Sequence, residues 1–219
     1  MKRAVIGAMI LWAGCVAVVS AEKPKFRPGQ GSFDLADSAR PSLGRVRAFE
    51  LADPQGKLHT ERSWRDAKAV VLVFLGTECP VSNGYSPEIQ RLYKEYAPRG
   101  VLFYGVHCDT DVTPAMAAEH AKEYSLPLVL LMDHEQVLAR QVGARVTPDA
   151  IVVLPGGEVA YRGRLDNRYA ETGKRRLEAT EHDLENAIAA VLAGKLPDPP
   201  ETKAFGCPLP RLNSSADSK

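Results

Sequence analysis

Neither sign of charge dominates this sequence: 28 lysines and arginines face 27 aspartates and glutamates, for a formal net charge of +1. A broad positive field is what draws a protein onto nucleic acid, and its absence excludes that class of partner. An apolar run of spanning length is also missing. The longest, residues 4–19, is about 16 residues against the roughly 20 that a membrane helix needs. No internal repeat is visible, and cysteine is scarce, with four in 219 residues. One globular domain with irregular ends fits this length and composition.

The first 21 residues are read separately. Met1-Lys2-Arg3, then the apolar stretch, then Val19-Ser20-Ala21 form a charged start, a short hydrophobic region and small residues at a cut. This pattern predicts a signal peptide over 1–21 and export to the periplasm or beyond. Retention of that segment as an anchor, or lipidation at Cys15, would be the route to a membrane. Cleavage leaves Cys79, Cys108 and Cys207. Disulfides persist outside the cytosol, yet three cysteines cannot close a structural framework, so at least one thiol is free, exchangeable or bound.

Residues 22–44 are rich in Pro, Gly, Ser and charge and read as an extended lead-in. Residues 45–51 alternate as a short strand, Asp53-Pro54-Gln55-Gly56 is a turn, and 63–66 is one helical turn. The continuous apolar run 69–75 predicts a central strand covered on both faces. Ile89, Leu92, Tyr93 and Tyr96 have helical spacing, ended by Pro98-Arg99-Gly100. Strand 101–106, a helix opened by Thr113-Pro114, strand 128–132 and a short helix over 135–142 follow. Residues 150–154 and 158–163 form a hairpin about Pro155-Gly156-Gly157, and a last helix, capped within 180–183, ends at Gly194. This order predicts an α/β sandwich domain over 45–195 with a parallel part and an antiparallel edge. Residues 196–219 form a Pro-rich arm carrying Cys207.

At Gly76-Thr77-Glu78-Cys79-Pro80-Val81-Ser82, with Thr147-Pro148 ahead of the hairpin, the chain resembles the thioredoxin-like superfamily in its AhpC/TSA-type redoxin branch. The resemblance implies a three-layer sandwich with a mixed central sheet, and a cis peptide before Pro148 facing Cys79. There the Thr147 backbone would meet an incoming peptide or thiol. Exported thiol-disulfide oxidoreductases of this branch carry Cys-x-x-Cys with a Pro eight residues after the first Cys. Pro87 has that spacing, but Ser82 replaces the second cysteine. Peroxiredoxins carry Thr three residues before the reactive Cys and Pro directly after it; Pro80 matches, and Gly76 stands where the Thr would be.

The residues around Cys79 carry chemistry of their own. A thiol at the first turn of a helix faces unpaired N–H groups and the positive end of the dipole, which favour the nucleophilic thiolate. Ser82, three residues on, is expected to donate a hydrogen bond to it. The bland alternative is an inert cysteine packed behind a strand.

The expected reaction is therefore exchange with protein or small-molecule thiols and disulfides through Cys79, assisted by Pro80, Ser82, Thr147 and Pro148, without cofactor or metal. A thiol peroxidase is the alternative. A copper-binding scaffold using Cys79, Cys108, His107 and Cys207 is the further one, although the paired Cys-x-x-x-Cys of copper chaperones of this fold is absent. Resolution of a mixed disulfide falls to Cys207 or Cys108. From Lys195 to Cys207 the arm spans roughly 40 Å at ~3.3 Å per residue, against a domain radius of gyration of ~16 Å, so reach is not limiting. Cys108 ends the neighbouring strand and is the competing resolver. His59, His120 and His182 have no ligand-spaced companion and are expected on the surface or beyond a turn. Lys174-Arg175-Arg176 reads as a solvated face.

Overall fold

The computed structural model describes residues 42–171 and 174–210. The segment expected to be a signal peptide, Cys15, most of the 22–44 lead-in and the last nine residues of the arm lie outside that range.

The described chain opens with a hairpin of β1 (Glu50–Ala52) and β2 (Leu58–Thr60), antiparallel with Leu51 opposite His59. Its turn is made by Asp53, whose carboxylate accepts the N–H groups of Gln55 and Lys57. Gly56 follows at φ 82°, where a side chain would be strained. The strand expected over 45–51 is thus shorter and later; Arg45 forms only an isolated bridge to Glu158. A 3-10 turn, Glu61–Trp64, buries Trp64 and leads into β3 (Ala69–Leu75).

Every residue of β3 is buried, so it takes the central place. The five-stranded sheet has the order β5-β4-β3-β7-β8. Strands β4 (Val101–His107) and β5 (Val129–Met132) run parallel to β3; β7 (Asp149–Val153) and β8 (Val159–Gly163) form the antiparallel half. Period-two alternation splits β3 between two cores. Val71, Val73 and Leu75 pack with Ile89 and Leu92 of α2 (Ser86–Tyr96), Ala117 of α3 (Pro114–Glu123) and Leu184, Ile188 and Val191 of α5 (Asp183–Leu192). Val70, Leu72 and Phe74 face Leu138, Ala139 and Val142 of α4 (Val137–Val142), with Phe49 and Trp64. Each fully buried Val, Leu, Ile or Phe among them stabilises the fold by roughly 1.5–3 kcal/mol relative to exposure. The result is the expected three-layer α/β sandwich with a mixed central sheet.

Helix starts follow local chemistry. Thr113 accepts the N–H of Met116 at 3.3 Å with Pro114 behind it. Asp133 caps α4, its two oxygens accepting the N–H groups of Val137, Leu138 and Ala139 at 2.7–3.0 Å. The last helix is not capped by Thr180: His182 holds the N-cap position without a side-chain bond, and Thr180 turns its N–H and hydroxyl to Asn167 instead. A further antiparallel pair, β9 (Tyr169–Glu171) with β10 (Lys174–Arg175), lies where only a loop was expected.

The arm after α5 turns back across the domain. Thr202 N–H donates to Arg162 O, Arg162 N–H donates to Pro200 O, and the Arg162 guanidinium meets Glu201 at 2.6 Å. Tyr161 and Thr202 share a hydroxyl hydrogen bond of 2.6 Å. These contacts cover β8, the open sheet edge. The arm then ends in β11 (Cys207–Pro208), which pairs antiparallel with β6 (Val146–Thr147), in the segment that joins α4 to β7. Among the described residues no helix is long and apolar enough to cross a membrane.

Candidate functional site

Strand β3 ends at Leu75, and Gly76 to Glu78 turn the chain into the short helix α1 (Pro80–Gly84). Cys79 is its N-cap and plays the part usually taken by Ser or Asp: Sγ accepts the N–H of Ser82 at 3.4 Å. The Ser82 hydroxyl does not reach the sulfur, as the spacing had suggested; it accepts the Gly76 N–H at 3.4 Å, and the backbone N–H is the donor to Cys79. Pro80 fills the first helical position, where no N–H is needed. Pro87 lies in the first turn of α2.

Across from Cys79 stands β6. The Thr147–Pro148 peptide is cis, and the Cys79 thiol donates to Thr147 O at 3.1 Å. Gly76 makes this approach possible. A Cβ there would sit 2.8 Å from Thr147 Oγ1 and 3.1 Å from Cys79 Cβ, so a threonine at this position would collide with both.

The other edge of β6 carries the arm. Cys207 is the register partner of Thr147, and Pro208 of Val146; the Thr147 hydroxyl donates to Cys207 O at 3.4 Å. Leu209 N–H donates to Arg145 O at 2.9 Å, and Gln136 Nε2 donates to Pro210 O at 2.6 Å. Strand pairing thus brings Cys207, half-buried, beside the buried Cys79, with both thiols free. The two share a cleft of about 310 Å³ bordered by Glu78, Asp109, Asp111 and Met116.

Burial works against ionisation of Cys79, and donors overcome it. The neighbouring Cys207 thiol and backbone, the Ser82 N–H and the Thr147 side chain together hold the Cys79 thiol below its ordinary value. Cys207 moves the opposite way, pushed up to about 11 by burial and by the Cys79 sulfur beside it. The two sulfurs are thus shifted in opposite directions, Cys79 towards the thiolate and Cys207 towards the protonated thiol.

Cys108 borders the same cleft but is built differently. It is 1% exposed, packed with Phe74, Val106 and Leu131 on the other side of the sheet, and its sulfur lies 4.0 Å from Asp133 Oδ2. Burial and the nearby carboxylates raise its thiol well above the ordinary range, which makes it a poor nucleophile.

His107 packs edge-on to His120 with ring centroids 5.6 Å apart, and burial lowers it to about 4. The copper cluster is not assembled. Among the described residues, the one group of three ligand side chains close enough to hold a metal is Glu88, His182 and Glu185, which excludes all three cysteines.

Of the three histidines set aside from the sequence, His182 lies on the surface as expected and the other two are buried. His120 is buried and bonded to Asn83 Oδ1 at 2.8 Å, and Asn83 in turn donates to Thr77 O, bracing the turn before Cys79. His59 is buried against Asp53. His182 is exposed.

The AhpC/TSA family profile matches residues 44–162, more than half of the sequence. The chain belongs to the AhpC/TSA family. Within it, the chain is similar to the thiol-disulfide oxidoreductase ResA of Halalkalibacterium halodurans, 28% identical over 112 residues. That match covers 51% of this chain and 61% of the relative's length. Two solved structures share the fold over 80% of the chain at a TM-score of 0.70. One is a hypothetical protein of Sinorhizobium meliloti 1021, 25% identical and 97% covered. The other is an uncharacterized conserved protein of Geobacillus kaustophilus, 26% identical and 94% covered. The AhpC/TSA match begins before β1 and stops inside β8, so the arm with Cys207 lies outside it. What Gly206 and Gln136 do for the arm had no periodicity to betray it, although Gly before Cys was visible.

Proposed function

We propose that this chain is a thiol-disulfide oxidoreductase whose exchanging pair is Cys79 and Cys207, the second thiol being supplied by the C-terminal arm in place of a Cys-x-x-Cys partner. One observation carries the reading: strand pairing with Thr147 seats Cys207 in the same cleft as Cys79, whose sulfur accepts the Ser82 N–H at the start of α1.

The chemistry follows from the two sulfurs. The Cys79 thiolate attacks one sulfur of a substrate disulfide, forming a mixed disulfide and expelling the other sulfur as a thiolate. Cys207 then loses its proton and attacks Cys79 Sγ, expelling the second substrate thiolate. Two electrons have passed from the dithiol to the substrate, and a Cys79–Cys207 disulfide remains. An external dithiol reverses these steps, so the same site runs as reductant or oxidant according to its partner's potential. Pro80 and Ser82 hold the α1 N-terminus, and Thr147 with Pro148 presents backbone to whatever lies against Cys79. Export, inferred from the residue 1–21 pattern, places the exchange where disulfides persist.

Peroxide chemistry at Cys79 is the competing reaction. Gly76 disfavours it, because the hydroxyl a peroxiredoxin places three residues before its cysteine has no room here.

The test is a trapping experiment. Cys207→Ser, mixed with a disulfide substrate, is expected to accumulate a stable Cys79 adduct seen by intact mass. Wild type should pass through the same adduct to the internal disulfide. Absence of any adduct on Cys79 would overturn the proposal.

A further inference from the structure

The place where Cys207 lies is selective in a way that the sequence of the arm discloses only with the structure. A Cβ on Gly206 would sit 2.0 Å from Thr147 O, 2.7 Å from Thr147 C and 3.2 Å from Pro148 Cδ. The first two are backbone atoms of β6, the strand on which the arm is seated, so nothing flexible can yield. The obstacle is purely one of space, since Gly206 does not have a positive φ. Residues after the cysteine are anchored differently. Cys207 and Pro208 pair with Thr147 and Val146, Leu209 N–H bonds Arg145 O, and Gln136 Nε2 bonds Pro210 O. Apart from the cysteine itself, these contacts use the segment's backbone.

We propose that the β6 edge is a docking seat for an extended segment containing Gly-Cys, filled in the resting protein by residues 206–210 and open to a partner peptide of the same pattern when the arm lifts. The segment's backbone supplies the attachment, and the missing Cβ before the cysteine supplies the selection. A cysteine preceded by any other L-residue would push a Cβ into the Thr147 backbone in this seated conformation and so reaches Cys79 along this edge less readily. The occupant in trans is therefore an extended Gly-Cys peptide, oxidised as a disulfide. Cys79 takes one of its sulfurs and releases the other as a thiolate. This rests on Cys79 being the exchanging thiol.

The experiment uses full-length Gly206→Ala/Cys207→Ser, in which the added Cβ drives the arm off the seat, and full-length Cys207→Ser, in which the arm stays. The probes are the peptide Lys-Ala-Phe-Gly-Cys-Pro-Leu-Pro and its counterpart with Ala before Cys, each activated as a thiopyridyl disulfide. With the seat open, Gly-Cys is expected to label Cys79 saturably and at least about tenfold faster than Ala-Cys. The arm-seated variant should show slower Gly-Cys labelling. Equal rates for the two peptides on the open seat would overturn the proposal. Binding of the same peptides with Ser for Cys, followed by calorimetry, reads the seat without thiol chemistry: preference for Gly supports it, and no preference refutes it. A peptide-free thiopyridyl disulfide separates the two claims. If it too fails to label Cys79, while the Ser peptides still discriminate, the exchange reading falls and the seat stands.

Discussion

Asp149→Asn isolates a buried carboxyl whose protonation the fold controls. Asp149 opens β7 directly after the cis Thr147–Pro148 bond, is 4% exposed, and pairs in register with Phe74. One oxygen accepts the Arg145 N–H at 3.2 Å; the other has no hydrogen-bond partner among the described residues. Burial pushes the carboxyl up to about 7, against the pull of the Arg145 N–H and of Arg162. The folded state thus holds the proton more tightly than the unfolded chain, whose value is near 3.8. The stability from this site is fully present below pH 3.8, is lost as pH rises to about 7, and is flat above. At about 1.36 kcal/mol per pH unit, the span amounts to about 4 kcal/mol as an upper bound. Asparagine keeps an acceptor for Arg145 N–H and cannot ionise. In urea unfolding followed by circular dichroism, the variant should match wild type near pH 4, exceed it increasingly up to about pH 7 and by a constant margin above that. Other groups, including His107, titrate in both proteins and cancel from the difference. A gap independent of pH across that range would refute the reasoning.

Four further outcomes follow. Cys207→Ala removes the thiol neighbouring Cys79, so the Cys79 alkylation profile should shift to higher pH; an unchanged profile would show that the arm does not tune the nucleophile. Gly76→Thr forces a side chain against Thr147 and Cys79, and should slow Cys79 exchange with a small disulfide tenfold or more while far-UV circular dichroism is preserved. Ile188→Ala empties a fully buried site in the helix-side core and should lower unfolding free energy by about 2–5 kcal/mol in urea. Wild type should consume peroxide more slowly than it exchanges disulfides; a fast Cys79-dependent peroxide reaction would favour the peroxidase.

Much of this architecture is legible in the sequence where a single physical rule acts alone. The run at 69–75 has no polar residue, and a strand buried on both faces is its simplest home. Thr113-Pro114 carries its own cap and first-turn residue. Legibility fails where a partner distant in sequence decides. His120 looks like a surface helix residue until Asn83 and His107 close over it. Ser82 has the right spacing to reach Cys79, but spacing does not say which of its atoms arrives. The β6 and β11 strands have two residues each, too short for any period to show. Chain reach admitted Cys207 as resolver and strand adjacency admitted Cys108; orientation and burial separate them, because Cys108 points into the α4-side core.

The most direct test of the exchanging pair is peptide mapping of the protein, oxidised and then digested under non-reducing conditions. A single disulfide-linked peptide joining Cys79 to Cys207, with Cys108 recovered as a free thiol, is the result predicted. A Cys79–Cys108 linkage, or wild-type turnover retained by Cys207→Ser, would contradict it.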